Sequence, residues 1–413
     1  MANMRGAGDE LSIGERVAFY RGRRGMSQRM LGDLVGRSED WVSKIERGVR
    51  ELRRVDVISE LARALRIEVG DLLGQPVLVE DEHRDDDIPA IRDALMTPRR
   101  LSRTLFKPAQ SSNVPPDAGQ AARLVEHSWI NYQQGKLSRV IAELPKLIGA
   151  AQTLEDAATD QDRAGWAVSA RTHHLAATTL SKVGEADLAW IAAERSMYAA
   201  DQADDPLVLA SAARAGTHAL LASGRFDDAV ELGNTAAEWM RPQLADNDPA
   251  ALSLLGMLRL RTAVAAARYH DRGATADLIA RASRAAERLG EDANYWQTGF
   301  GPTNVELHRI STHLDLGDVD YVVQVGPTVH AENLPAERRV SHMIDVARAL
   351  SLVARDEDST QLLLEAEAIA PHLVRHNPIV RETVKALYRR SSNGGQGAST
   401  LLGSFAERCR ALR

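Results

Sequence analysis

Residues 27–47 read SQRMLGDLVGRSEDWVSKIER, and the spacing of small and apolar residues in this stretch decides how the amino end folds. Counting from Gln28, a small residue falls at the fifth position (Gly32), a glycine at the ninth (Gly36), and apolar side chains at the fifteenth and eighteenth (Val42, Ile45). Two helices crossing steeply through a short turn make those demands. Gly32 allows close approach, Gly36 supplies a left-handed residue that ends the first helix, and Ser38 caps the second. Met30, Leu31, Leu34, Val42 and Ile45 are expected on one core, with Ile13, Val17 and Phe19 or Tyr20 from a preceding helix. Downstream, VDVISELARALRIEVGDLLG places Val55, Ile58, Leu61, Leu65, Val69, Leu72 and Leu73 at helical spacing, with a break near Arg66 to Glu68. That predicts five helices.

Charge concentrates on the same segment. Residues 11–54 carry eleven Lys and Arg against six Asp and Glu, although the whole chain has a net charge of −6. A basic patch confined to one small part of an acidic protein is what a phosphate-facing surface looks like, for DNA or another polyanion.

From about Leu11 to Gly74 the chain resembles the Xre/Cro-cI family of helix-turn-helix regulators, through IGERV, MSQRMLGDLVG and SKIERG. The resemblance covers about a sixth of the chain. It implies a lambda-repressor-like DNA-binding domain that works as a homodimer on double-stranded DNA, with the helix Ser38–Glu46 in the major groove. Glu39, Asp40, Trp41, Ser43 and Lys44 would then face base edges, and Gln28, Arg29, Arg37, Arg47, Arg50 and Arg53 would contact phosphates. This chain departs from the pattern by opening that helix with Glu39-Asp40-Trp41, where many members carry Arg, Gln, Ser or Thr. Acidic groups accept from cytosine N4 but are repelled by phosphate, so they must point into the groove or pair with arginines. Alternatively Glu39 and Asp40 favour the positive end of the helix dipole, and Trp41 packs on the next helix.

The remainder reads as all-α. Hydrophobic residues make up 44% of the 413 residues but aromatics only 4%, and the Ala and Leu that dominate favour helix over sheet. The expected organisation is a helix-turn-helix domain over 1–76, an acidic, proline-containing linker over 77–115, a helical repeat over 116–390, and a Gly/Ser loop with a last helix over 391–413. The acidic run EDEHRDDD at 80–87 reads as a solvated tether or, more sharply, as a DNA mimic restraining the basic domain. A short helix over IPAIRDALMTPRR is compatible with either neighbour.

Between residues 116 and 390, turns recur near Gly135, Gly184, Gly224, Gly273, Gly317 and Asp356, with prolines at 206, 249, 302 and 335 marking the longer breaks. Short turns inside and prolines outside predict an α-solenoid of about six helical hairpins. The array resembles tetratricopeptide repeats of irregular length, most plainly in LASGRFDDAVEL, although longer loops such as Gly290–Pro302 leave HEAT-like stacking open. The resemblance implies a concave inner face for a small molecule, a peptide or a partner protein. Candidate contacts on the first helices are His127, Trp129, Arg171, His173, Arg214, His218, Arg259, Asn304, His308 and Arg309, against the reading that these are ordinary packing residues. The aromatic loop Asn294–Asn304 forms either a ligand lip or packing between repeats. The layout as a whole resembles actinobacterial Xre-type regulators with C-terminal repeats and, more distantly, pheromone-receptor regulators that hold a peptide in such an array.

Other classes find less support. The sequence carries no nucleophile elbow, Walker loop, zincin motif or dinucleotide fingerprint, so an enzyme is not expected, nor a cofactor or metal. His173-His174 has no ligand spacing around it, and Cys409, the single cysteine, reads as an inert thiol. No stretch is expected to span a membrane, and MANMRGAGDELS lacks the apolar core of a signal peptide, so a cytoplasmic, nucleoid-associated protein is expected. The competing class is a non-enzymatic scaffold whose helix-turn-helix module binds protein instead of DNA.

Overall fold

A computed structural model describes residues 12–23, 26–50, 52, 55–65, 67, 72, 88–101, 105, 117–159, 163–241, 248–393 and 400–412. The chain divides into two compact units, Met1–Thr97 and Pro98–Arg413. Among the described residues the secondary structure is helical, with one isolated bridge, Ala293 to Phe300, in place of any strand.

The first unit contains α1 (Ile13–Arg23), α2 (Gln28–Leu34), α3 (Glu39–Glu46), α4 (Val55–Leu65) and α5 (Ile88–Leu95). Ser12 and Glu15 open α1 as a reciprocal cap: the Ser12 amide donates to Glu15 Oε2 at 2.7 Å and the Glu15 amide to Ser12 Oγ at 3.3 Å. Val17, Tyr20, Leu31, Val42, Ile45, Ile58, Leu61, Ala62, Leu65 and Leu72 form one core. The expected fifth helix lies almost wholly outside the described residues, and so do Val69, Leu73 and the acidic run 80–87; Leu72 is described and fully buried. Ile88, Ile91 and Leu95 of α5 are also buried, so part of the expected linker is an apolar helix.

Two core assignments from the sequence are corrected. Met30 is 52% exposed and Leu34 60% exposed. The buried side of α2 runs through Leu31, Gly32 and the half-buried Val35, so Met30 and Leu34, one turn apart, form the adjacent face and remain in water.

The second unit is an array of helical hairpins. The pairs are α6 (Ala118–Gln133) with α7 (Leu137–Ala157), α8 (Ala164–Lys182) with α9 (Ala186–Ala203), and α10 (Pro206–Ala222) with α11 (Phe226–Met240). Next come α12 (Pro249–Arg268) with α13 (Arg272–Leu289), α14 (Pro302–Asp315) with α15 (Val319–Val325), and α16 (Ala336–Leu352) with α17 (Asp356–Ile369). The short α18 (Pro371–Arg375), then α19 (Pro378–Asn393) and α20 (Thr400–Arg408), complete the unit. Pro206, Pro249 and Pro302 sit in the first turn of their helices, and Asp205 and Asp248 cap two of those helices through their carboxylates.

Each hairpin turns through one left-handed residue. Four are glycines, Gly135, Gly184, Gly224 and Gly317, but the other two are His270 (φ 61°) and Ala354 (φ 59°). Gly273 and Asp356, taken from the sequence as turn markers, lie instead within the first turns of α13 and α17.

Consecutive helices pack, and the array also closes on itself: α16 touches α6, and α18 touches α7. At the seam Lys182 Nζ meets Glu337 Oε1 at 2.7 Å, and a Cβ on Gly135 would lie 2.6 Å from that of Ala370. The C-terminal helix docks against α19, burying Phe405 and Cys409, while Arg408 bonds Glu367 at 2.6 and 2.7 Å. Burial pushes the Cys409 thiol up to about 12, which keeps it protonated and unreactive.

One helix departs from the sequence expectation about membranes. Pro249–Arg268 is long and apolar enough by composition to span one, but 83% of its apolar window is buried inside the unit. Phe300 plugs against it where Gly256 leaves room: a Cβ there would sit 2.0 Å from the ring.

Candidate functional site

In the helix-turn-helix unit, backbone demands explain the motif. Ser27 and Ser38 cap α2 and α3, accepting from the amides of Met30 (3.1 Å) and Trp41 (3.2 Å). Gly36 turns at φ 62°, and a Cβ on Gly32 would approach the Arg37 carbonyl oxygen at 2.7 Å. A second close approach was not read from the sequence: Gly14 lies so near α3 that a Cβ would be 2.0 Å from the Ile45 carbonyl oxygen.

A polar knot, also missed by sequence reasoning, joins α1, α2 and α3. The 5%-exposed Glu46 carboxylate accepts from Arg21 Nε (2.5 Å) and Nη2 (2.9 Å) and from Gln28 Nε2 (2.7 Å), while Arg21 Nη1 reaches the Met26 carbonyl at 2.6 Å. The Glu46 carboxylate raises the Arg21 pKa further. Arg21 and Glu46 stand 25 residues apart, so no local spacing reveals the pair. The knot fixes α3 against its neighbours and commits the Gln28 amide to a partner inside the protein.

On the outer surface, Glu39, Asp40, Arg29, Arg37, Arg47 and Arg50 are exposed, and Ser43 and Lys44 are half-exposed. Asp40 pairs with Lys44 at 2.7 Å, one turn along α3, so the acidic opening is balanced by a lysine and not by an arginine. Trp41 rests partly on the core, with the Arg37 guanidinium 5.7 Å from its ring centroid. Arg47 folds back onto the Ser43 carbonyl at 3.2 Å. Arg53 lies outside the described residues. The geometry therefore brings Glu39, Asp40, Ser43 and Lys44 onto one solvent-facing helix flanked by four exposed arginines.

The second unit gathers a different set. Trp129, Arg214, His218, Asn304 and His308 converge on an interior chamber of about 280 Å³ and its narrow extension, together with Lys182, Arg261 and Arg338. The three added cations come from α8, α12 and α16, and only closure of the array brings them together. Glu337 is their buried counter-ion: Lys182 lies at 2.7 Å and Arg338 Nε at 3.3 Å. Although burial opposes ionisation, Arg338 and Lys182 hold the Glu337 carboxyl well below its ordinary range. Burial drives His218 and His308 well below the usual imidazole value, and the neighbouring Arg261 and Arg338 add to the shift.

Arg171 lies to one side. Its guanidinium stands 5.5 and 4.8 Å from the ring centroids of Trp129 and Trp296 and bonds Glu126 at 2.6 Å and Gln297. The loop that presents Trp296 and Gln297 holds both at positive φ, 53° and 50°, a conformation that costs non-glycine residues about 1–3 kcal/mol each. Within this aromatic loop Phe300 is core, whereas Tyr295 is 43% exposed.

The remaining candidates lie elsewhere. His127 is exposed, Arg309 pairs with Glu306 at 3.2 Å, and Arg259 donates to the Arg281 carbonyl at 3.3 Å. His173 belongs to a separate buried cluster in which Arg100 bonds Glu155 at 2.5 Å and Ser169 bonds both Glu155 and His173. Burial and Arg100 lower the His173 pKa to about 4. His174 contacts Ser211 at 2.9 Å and stacks edge-on against Trp129. Among the described residues no group of three His, Cys, Asp or Glu is placed to hold a metal ion.

Comparison with known proteins agrees with this geometry at the amino end. A family model described as a helix-turn-helix domain matches residues 12–73. Searches of curated proteins and of solved structures returned no match. The chain therefore carries a helix-turn-helix domain followed by an all-helical hairpin array.

Proposed function

We propose that this protein is a sequence-specific DNA-binding transcription regulator of the Xre type, cytoplasmic, non-enzymatic and dimeric, whose tetratricopeptide-like array senses a small molecule or peptide or binds a partner protein. One observation carries the reading: a helix capped by Ser38 and pinned by Glu46 shows a polar face to solvent between the exposed Arg29, Arg37, Arg47 and Arg50. Such a face has the dimensions and charge to enter a major groove while guanidiniums grip the backbone on either side. An eight-residue helix reads few base pairs, which is why two copies are expected on one operator. Ligand binding regulates such a protein only if the ligand favours one of two states, and here the proposed states differ in the spacing of the two reading helices.

The test uses the intact protein. Sequencing the genomic fragments it retains should recover a palindrome, and the triple variant Arg29→Ala, Arg37→Ala, Arg47→Ala should bind that fragment about a hundredfold less tightly while the slope of log affinity against log salt falls by about 3. Unchanged occupancy by the folded triple variant defeats the proposal, and a monomer filling single half-sites removes its dimeric part.

A further inference from the structure

The chamber inside the array contains more buried donors than the protein satisfies. Arg214 is 6% exposed, yet its Nε and Nη1 have no hydrogen-bond partner. The Trp129 indole N–H and the Tyr132 hydroxyl, 2% and 4% exposed, are likewise unpartnered and line the same narrow extension. Arg261 lines both that extension and the larger chamber, and it has no hydrogen bond or ion pair among the described residues. Against four cations, Lys182, Arg214, Arg261 and Arg338, the immediate counter-ion is Glu337, already engaged by two of them. Asp345, which also lines the larger chamber, carries a further carboxyl, which burial and Asp315 raise to about 6.

Guanidiniums stay charged at neutral pH, and leaving one buried without a partner costs several kcal/mol. Two other arginines of this unit avoid that cost with side-chain carboxylates: Arg100 has Glu155 and Arg171 has Glu126. Arg214 and Arg261 do not: Arg261 faces the chamber of about 280 Å³, too small for a folded partner and ample for a metabolite head group, and Arg214 lines the narrow extension of about 10 Å³ that shares Arg261 with it.

We infer that the chamber binds a small molecule through an oxyanion group, a phosphate or a carboxylate, held by Arg214 and Arg261 with Trp129 and Tyr132 as further donors. This names the ligand class within the sensing role proposed above and rests on that reading only for its biological use. Planar guanidiniums suit both kinds of group, since each can take two parallel N–H bonds. Unpartnered neutral donors lining the same extension as the two arginines favour an anion with several oxygens.

The experiment uses the full chain, free of DNA, with sodium phosphate or sodium succinate titrated against sodium chloride at constant ionic strength. Calorimetry should report saturable binding of at least one of them, and 10 mM of that anion should raise the unfolding midpoint of the array by about 2 °C or more. Phosphate alone, or succinate alone, identifies the head group. Arg261→Leu should lose at least tenfold in anion affinity. Arg214→Met should abolish the anion-dependent rise while melting higher than wild type in chloride, because a buried unpaired charge has been replaced by an apolar side chain. The exposed Arg241→Ala should change neither quantity. No saturable binding of either anion, or an equal rise in wild type and both chamber variants, overturns the inference. DNA retention by the same preparations is measured in parallel, so failure here is distinguished from failure of the regulator reading.

Discussion

The two units use arginine in opposite ways. In the helix-turn-helix unit Arg29, Arg37, Arg47 and Arg50 lie in water around α3, and the more deeply set Arg21 has its own carboxylate in Glu46. In the array Arg214, Arg261 and Arg338 are turned inward around one buried glutamate. An exposed cation works on a long, repeating lattice of charge and is weakened by salt, whereas an enclosed one acts only on what fits the enclosure and is screened little. The same side chain is thus set toward water in one unit and toward an interior in the other.

The largest blow to this contrast should come from Glu46→Ala, which strands Arg21 and frees Gln28. Loss of a buried, hydrogen-bonded partner predicts about 3 kcal/mol of destabilisation confined to the first unit. In calorimetry the transition of that unit should move down while the array transition stays fixed; a joint shift would mean the units do not unfold separately.

Acid should have an intermediate effect, falling on the array. Of the twelve histidines only His83 belongs to the first unit. His173, His174, His218 and His308 have lowered pKa values in the fold, chiefly through burial, so below pH 6.5 the unfolded chain binds protons that the folded chain refuses. Glu337 works in the same direction further into acid: its lowered pKa gives stability that is complete above 4.5 and is lost as pH falls. Asp345, held at about 6, opposes them, because its folded form gains a proton first. Four imidazoles outweigh one carboxyl, so the array midpoint should fall by several degrees between pH 7 and pH 5 while that of the first unit moves less. A midpoint independent of pH would show that these imidazoles are not neutral in the fold.

The smallest expected effect sharpens the picture at the DNA-facing surface. Asp40→Ala removes a solvent-exposed i,i+4 pair with Lys44 worth about 0.3–0.5 kcal/mol. Stability should hardly change, but freeing Lys44 and deleting a negative charge should strengthen binding to non-specific DNA, measurable as tighter retention on a random duplex. Weaker retention would mean that Asp40 itself contacts the DNA.

Legibility in the sequence follows the same divide. Gly32, Gly36 and Ser38 could be read because each answers a backbone requirement that few residue types meet. The hairpins were legible through their glycines and prolines, and the reading slipped where His270 and Ala354 take a left-handed turn that composition does not announce. Met30 and Leu34 were misplaced because apolar character alone does not say which side of a seven-residue helix faces inward. The chamber was half visible: the tetratricopeptide resemblance implied an inner face carrying Arg214, His218 and His308, but Lys182, Arg261 and Arg338 join them only because α16 returns to α6. Long-range closure leaves no periodic trace.

That closure changes what the array is mechanically. A ladder of hairpins can lose a rung at either end and keep the rest, since each rung leans only on its neighbours. A fastened hoop has no spare ends: cutting away α18 to α20 would unclasp α7 and expose the seam between Gly135 and Ala370. Trimming from the carboxyl side should therefore weaken the whole closure, leaving it to α16 against α6, and not merely remove the last segment.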